Sequence, residues 1–399
     1  MDSKQRLSFK LAGLRAGTLV QAAAQDSGLV ASALKLSAWR KRTKRRIKRL
    51  FKRYEVLAAD KLHLLVHVCG GIGDVCMVRV LVQKWRQTLP QADITLAYDR
   101  KSTVDMVFPD GLIDRWVSPD YVPEQFDVVL SGCHLLMYDY INWPRVEKLA
   151  PQIIPILKDG LDLQACFKPF AQYSPYLDGQ LAEIAIAHGG SRITNLGWFS
   201  GLDIHQNDEA FISLPAQTTQ AVLQRWDLAD KKYITIHDGI NNQTAACGVR
   251  PTRCWPQEHW AELVRLIKNK FPQLTVVQLG GNQSRPFDFA DVCLAGKTEV
   301  SDLPHLLSKS CLHIDGESGM VHLANLTKTP CVVLFGPSKA AYLGYARNTN
   351  LSAPVCGGCM NINKYWMTRC LLDVPSAKQC LASIMPQTVF EAVCAYLAK

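Results

Sequence analysis

The stretch from Cys311 to Ser338 constrains this chain more than any other. It reads CLHIDGESGMVHLANLTKTPCVVLFGPS: an apolar run (Cys311 to Ile314), a tight turn, a helix opening near Ser318, and a second apolar run (Cys331 to Phe335) ending in Gly336-Pro337-Ser338. Two short apolar runs joined through a helix make a βαβ unit, whose strand ends open on one sheet edge. That edge is where open α/β sheets bind ligands. The turn Asp315-Gly316-Glu317-Ser318-Gly319 would aim backbone N–H groups and a helix N-terminus at an anion, most simply a diphosphate. Glu317 and His322 supply polar side chains at the same mouth. The plainer reading is an ordinary capped helix with Ser318 as its N-cap.

The same rhythm recurs on both sides. Residues 1–60 read as a helical, basic extension. An α/β domain over 61–228 opens on the apolar strand Leu62–Val68, which runs into Cys69-Gly70-Gly71-Ile72-Gly73-Asp74. A helix from about Val75 to Leu89 follows, then strands at Ile94–Ala97 and Phe126–Leu130. Residues 135–215, rich in aromatics and carrying several prolines, are expected to complete this domain and shape a substrate cleft. A second α/β domain over 229–385 predicts strands at Tyr233–Ile236, Leu274–Leu279 and Val292–Ala295, helices at Glu258–Phe271 and Ser301–Ser308, and then the βαβ unit. A helix within 386–399 closes the chain. The fold class is therefore α/β, two doubly wound domains with a cleft between them.

With 399 residues, 48% of them hydrophobic, the chain is long enough for two such domains. Its net charge of +10 is local. The run from Arg40 to Arg53 holds ten basic residues and no acidic one, and without it 35 of the 45 basic residues remain against 35 acidic ones. That argues against a nucleic-acid-binding face on the folded body. A basic segment beside Leu50 and Phe51 suits an anionic membrane surface; a solvated arm and an RNA-binding arm are the other readings. No secretory signal precedes the fourteen cysteines, and no apolar run is long enough to span a bilayer, so a reduced, cytoplasmic setting is expected, with peripheral contact at the inner face of the plasma membrane. Most cysteines sit in apolar runs, as Cys69, Cys311 and Cys331 do, where a thiol acts as a small hydrophobe.

Two nucleotide motifs fail on spacing. Counted from Gly71, the third glycine of a dinucleotide fingerprint would fall on Cys76, which disfavours an NAD-type oxidoreductase. Gly296-Lys297-Thr298 has Asp291 where a P-loop needs its first glycine. Asp74, between a strand and a helix, is placed as a general base or as a helix cap, and a helix N-terminus would lower its pKa. Past the first strand of the second domain lie His237-Asp238-Gly239-Ile240-Asn241-Asn242 and then Arg253-Cys254-Trp255-Pro256. Arg253 offers a fork for a phosphate pair, and Trp255 would pack beneath the helix that follows. Cys356 and Cys359, with two residues between them, are followed by Cys370 and Cys380 in a short polar segment, which fits a tetrahedral thiolate site for iron or zinc, against free thiols or disulfides.

Taken in chain order, these pieces resemble glycosyltransferase family 9, the ADP-heptose heptosyltransferase-like enzymes of bacterial surface glycans. The resemblance rests on Gly73-Asp74, Arg253-Cys254-Trp255-Pro256, Gly296-Lys297-Thr298, Glu317-Ser318-Gly319-Met320-Val321-His322-Leu323-Ala324, Phe335-Gly336-Pro337-Ser338 and the cysteine-rich tail. It implies a GT-B fold, with acceptor bound mainly by the first domain and nucleotide-sugar by the second. It implies inverting transfer of a heptose from ADP-heptose to a surface glycan precursor, a lipid-linked acceptor or a protein hydroxyl. Asp74 falls on the family's catalytic aspartate, and Arg253 stands where the family carries a phosphate-binding lysine. Glu317 stands where the family has aspartate, one methylene shorter. Donor contacts are implied for Gly73, Arg253, Glu317, Ser318, Gly319, His322, Gly336, Pro337 and Ser338. The resemblance implies no catalytic metal, and similar autotransporter heptosyltransferases bind iron through a cysteine cluster. The departures at Arg253 and Glu317 leave a second reading open, a non-catalytic sugar-nucleotide-binding or scaffold protein at the membrane.

Overall fold

The computed structural model describes residues 1–26, 58–173, 177–239, 252–362, 366–367, 370 and 379–398. The basic run 40–53 and the segment from Ile240 to Asn242 lie outside these. Contacts group the chain into two compact units: Met1–Cys69 with Val80–Lys101 and Gly111–Gln206, and Gly70–Arg79 with Ser102–Asp110 and Asn207–Lys399.

The first unit carries a five-stranded sheet of order β3-β2-β1-β4-β5. Its strands are β1 (His63–Val68), β2 (Asp93–Ala97), β3 (Arg115–Val117), β4 (Val128–Gly132) and β5 (Leu136–Ile141). All pairings are parallel except β5 on β4, which is antiparallel. Every residue of β1 is buried, as a central parallel strand covered on both faces requires. The buried carboxylate of Asp127 accepts from the His63 N–H at 2.8 Å and pairs with Arg145 at 2.6 Å, pinning the edge of the sheet. Helix α1 (Ser3–Asp26) fits the expected helical extension. It is docked through Phe9, which is fully buried and stacks on Phe167 with ring centroids 4.8 Å apart, and it forms ion pairs from Arg6 to Asp159 and from Lys10 to Asp162.

Helices α2 (Ile72–Thr88) and α3 (Lys101–Val107) alternate with the first strands. Residues 143–225 are largely helical: α4 (Trp143–Leu149), α5 (Ile154–Cys166), α6 (Lys168–Tyr173), α7 (Asp178–Ala187), α8 (Arg192–Ser200) and α9 (Ala216–Arg225). Among the described residues, no helix is long and apolar enough to cross a membrane.

The second unit carries a six-stranded, fully parallel sheet of order β11-β10-β9-β6-β7-β8. Its strands are β6 (Tyr233–His237), β7 (Thr275–Leu279), β8 (Val292–Cys293), β9 (His313–Gly316), β10 (Cys331–Phe335) and β11 (Thr349–Ser352). The helices between them are α10 (Gln257–Lys270), α11 (Leu303–Ser308), α12 (Gly319–Leu326) and α13 (Ala340–Leu343). Helices α14 (Gln379–Ala382) and α15 (Pro386–Leu397) follow, and α15 adds Val389 and Val393 to the core of Ile234, Ile236, Trp260, Ile267, Ile314 and Val332. Trp255 is buried at the start of α10 and donates its indole N–H to the Ile384 carbonyl at 2.9 Å, so it lies beneath that helix as its position predicts. In chain order both sheets run 3-2-1-4-5, the second adding a sixth strand, which is the doubly wound arrangement.

Candidate active site

In the six-stranded sheet the strand order reverses between β6 and β9. At such a reversal neighbouring loops leave in opposite directions and open a crevice beyond the strand ends. The ends concerned are His237-Asp238-Gly239 and Gly316-Glu317-Ser318. The backbone of Arg253 crosses above both. A Cβ on Gly239, which has φ +76°, or on Gly316 would stand 2.9 Å from the Arg253 carbonyl oxygen, so glycine at both positions lets that strand of chain come close.

The Arg253 guanidinium is held on one side by Glu317. Its Nε and Nη2 donate to the Glu317 carbonyl, the former at 3.1 Å, and Nη2 lies 3.1 Å from Glu317 Oε2. Its other terminal nitrogen, Nη1, points at the Met367 thioether 3.9 Å away, a weak acceptor for a strong donor. The Trp366 ring lies 5.8 Å from the guanidinium carbon, within cation–π range. Burial pushes the Glu317 carboxyl up, but Arg253, then His322 and Ser338, outweigh it and bring the group to about 2. Glu317 is therefore a carboxylate, paired with Arg253.

Ser318 caps α12: its backbone is extended and its hydroxyl accepts from the Met320 N–H at 3.1 Å. The capped-helix reading of this residue is thus correct, and it leaves the first-turn N–H groups of α12 at the same crevice. His322 is buried, its Nε2 3.5 Å from Glu317 Oε1 and its Nδ1 2.9 Å from the Tyr345 hydroxyl. Within the same contact unit, a Cβ on Gly73 would stand 2.5 Å from His322 Cδ2 and 3.3 Å from the Gly319 Cα. The N-termini of α2 and α12 therefore meet, and two positive helix ends are brought to one place. Asp74 is the third residue of α2. Its Oδ2 accepts from the Gly71 N–H at 2.9 Å, the reach-back bond of a capping box.

Gly336-Pro337-Ser338 ends β10 and divides its work. The carbonyls of Gly336 and Pro337 accept from the N–H groups of Gly358 (3.1 Å) and Met360 (2.8 Å), which fastens the Cys356–Cys359 segment along this turn. A Cβ on Gly336 would meet the Cys380 sulfur at 3.2 Å, so three of the four tail cysteines flank one turn. Ser338 is buried beside Glu317. Burial, then Cys380, Cys356 and Cys370, pushes the Cys359 thiol up to about 11, so the other three thiols all act on this one. Burial likewise raises Cys380. A bound cation would reverse both shifts, since only thiolates ligate. Among the described residues, no three of these sulfurs lie within 4.8 Å of one another.

Sequence reasoning put Glu317, Ser318, Gly319 and His322 at one mouth and named Arg253, Gly73 and Ser338 as donor contacts, and these residues lie together in the structure. It passed over Tyr345, gave Trp366 no role at the site, and passed over the buried pair formed by His237 and Asp315, whose side chains lie 2.9 Å apart. The signal for that pair was available: an Asp inside an apolar strand and a His at the end of another.

Residues 200–353 match the family model of glycosyltransferase family 9 (heptosyltransferase). Lipooligosaccharide heptosyltransferase 2 of Haemophilus influenzae is 27% identical over 145 residues, 28% of this chain, and the chain spans 41% of that relative's length. Among solved structures, the E. coli ADP-heptose LPS heptosyltransferase II aligns with a TM-score of 0.53 at 14% identity, covering 84% of this chain and 99% of that one. A glycosyltransferase family 9 protein of Veillonella parvula gives 0.52 at 16%, covering 86% and 99%. The iron-containing dodecameric glycosyltransferase TibC of enterotoxigenic E. coli gives 0.55 at 13%, covering 85% and 77%. These likenesses show the fold, which is GT-B.

Proposed function

We propose, from the match of residues 200–353 to the family model of glycosyltransferase family 9, that the protein is an inverting glycosyltransferase. It moves a heptose from ADP-heptose to a hydroxyl of a bacterial surface glycan, a lipid-linked precursor or a protein. One observation supports this most: Arg253 presents Nη1 to a weak acceptor at the crevice where the N-terminus of α12 also points. A fork and a helix end aimed at one place suit a departing diphosphate. TibC has been solved in complex with ADP-D-β-D-heptose, which favours that donor.

In this reading the second unit binds the nucleotide-sugar and the first binds the acceptor. Asp74 takes the proton of the acceptor hydroxyl, whose oxygen then forms a bond to the anomeric carbon as the bond from that carbon to the diphosphate breaks. Arg253 and the N–H groups of Ser318 and Gly319 stabilise the charge that collects on the leaving ADP. Glu317 and His322 hold Arg253 and the turn, and Gly336, Pro337 and Ser338 form the floor beside them. The protein works in the cytoplasm at the inner membrane face, drawn there by residues 40–53.

Cys356, Cys359, Cys370 and Cys380 would hold one structural iron or zinc ion, outside the chemistry. The donor set suits either metal, and binding would draw the four sulfurs together. Purified protein should then carry about one metal ion per chain by elemental analysis, and Cys359→Ser should lose it together with thermal stability.

The cap bond from Asp74 to Gly71 favours a second reading, a sugar-nucleotide-binding scaffold in which Asp74 is structural. The deciding experiment is thermal stabilisation against a panel of nucleotides and nucleotide-sugars, followed by a transfer assay. A ligand at 100 times its Kd raises stability by about 2.7 kcal/mol. A response to ADP and ADP-sugars with transfer supports the enzyme. Binding without transfer to any acceptor supports the scaffold, and a response to UDP- or GDP-sugars moves the donor.

A further inference from the structure

Beneath the Ser318-Gly319 turn lies a cluster of buried charge that no step above uses. Asp315 is 0% exposed, within β9. Its Oδ2 accepts from the Ser318 hydroxyl at 2.5 Å, meets His237 Nδ1 at 2.9 Å and faces His313 Nε2 at 3.5 Å. Among the described residues the other oxygen, Oδ1, has no hydrogen-bond partner. His313 is fixed in turn, its Nδ1 3.0 Å from Thr235 Oγ1, which lies 3.1 Å from Ser310 Oγ. On the far side of His237, Asp238 accepts from Ser284 Oγ and the Arg285 N–H, both at 3.0 Å.

A carboxylate removed from water with one oxygen unpaired is costly, and a strand core needs none. What Asp315 does is join two elements. We infer that Asp315 is a positioning residue, tying the end of β6 to the N-cap of α12 so that the anion-binding turn is held ready for the donor diphosphate. The inference rests on the reading of that turn given above. A serine hydroxyl has one proton, and Ser318 spends it on Asp315, which leaves its lone pairs directed at the Met320 N–H. The tie therefore sets the rotor of the cap as well as its place. His237 faces Asp315, Asp238 and Arg253, and the two carboxylates raise its pKa against burial and Arg253. His237 Nδ1, 2.9 Å from Asp315 Oδ2, faces the carboxylate, so an anion above the turn meets no bare carboxylate below it.

The test is amide hydrogen exchange on the full chain, with ADP affinity by calorimetry, for the wild type, Asp315→Asn and Ser318→Ala. Asp315→Asn keeps the shape and removes the charge. It should speed exchange at residues 318–321 about tenfold, leave β7 unchanged, and weaken ADP binding about tenfold, the size of a lost charge-assisted hydrogen bond. Ser318→Ala should reproduce the local exchange effect with the His237–Asp315 pair intact. Unchanged exchange at the turn in both variants overturns the inference, as does equal acceleration at β7, which marks a general loss of stability. If Asp315→Asn does not fold, Ser318→Ala decides on the same readout. If the wild type binds no ADP, the proposed donor reading falls while the exchange comparison still decides the tie.

Discussion

Asp74 holds the Gly71 N–H and is also the proposed base, and these roles separate on substitution. In Asp74→Asn the amide oxygen still accepts from Gly71, so the helix start survives. Transfer should fall about a hundredfold or more in kcat with little change in thermal stability, the usual cost of losing a general base; near-wild-type turnover would make the residue a cap alone. Arg253→Lys keeps the charge but loses the fork, and should raise the donor KM about tenfold, read by initial rates. The carboxyls of Asp315 and Glu317 lie at about 2 in the folded chain, against roughly 4 for free carboxyls. Their contribution to stability is thus complete above that range and lost as pH falls through about 2. His237 is shifted upward, so its contribution is complete below about pH 6.5 and lost as pH rises through its folded value. Denaturant unfolding across pH 2 to 9 should show both limbs, and Glu317→Gln should flatten the acid one. As residue types at strand ends, Arg253, Glu317 and His322 were legible in the sequence. That Arg253 is engaged by Glu317 was not, because 64 residues separate them and only the sheet order brings them together.

Elements with a simple apolar rhythm were legible to within a few residues. Strand β10 falls where expected at Cys331–Phe335, and α10 at Gln257–Lys270 lies within one residue of its expected bounds. The region from 135 to 215 resisted for a physical reason. All nine residues of α8 are buried, including Arg192, Thr194 and Asn195, so the helix has no wet face and no 3.6-residue period to read. Strand β5 is a short antiparallel edge, LMYDYI, whose pattern is only partly buried. Helix α1 was legible as a helix but not as a docked one, since its contact depends on aromatics far along the chain. Phe9 meets Phe167, Trp198 and Phe199. Phe9→Ala should cost about 3 kcal/mol, the usual loss for a fully buried phenylalanine, measured by denaturant unfolding.

Across the whole molecule, two sheets share one strand order while the excess charge sits in one short run. The residues outside this run and the run itself should therefore respond differently to salt. The protein should sediment with vesicles containing anionic lipid at low ionic strength and leave them as salt rises, and a chain with residues 40–53 neutralised should stay in solution. The way the chain is divided between its units also sets an order in time. Gly70–Arg79 belongs with a unit whose main part begins at Asn207. On a translating ribosome the stretch around Asp74 emerges long before Gly319 and His322, and Val389 and Val393 must follow before that unit's core is closed. A nascent chain halted before residue 386 would carry every residue proposed for the chemistry but would lack Val389 and Val393, which this unit's core still needs.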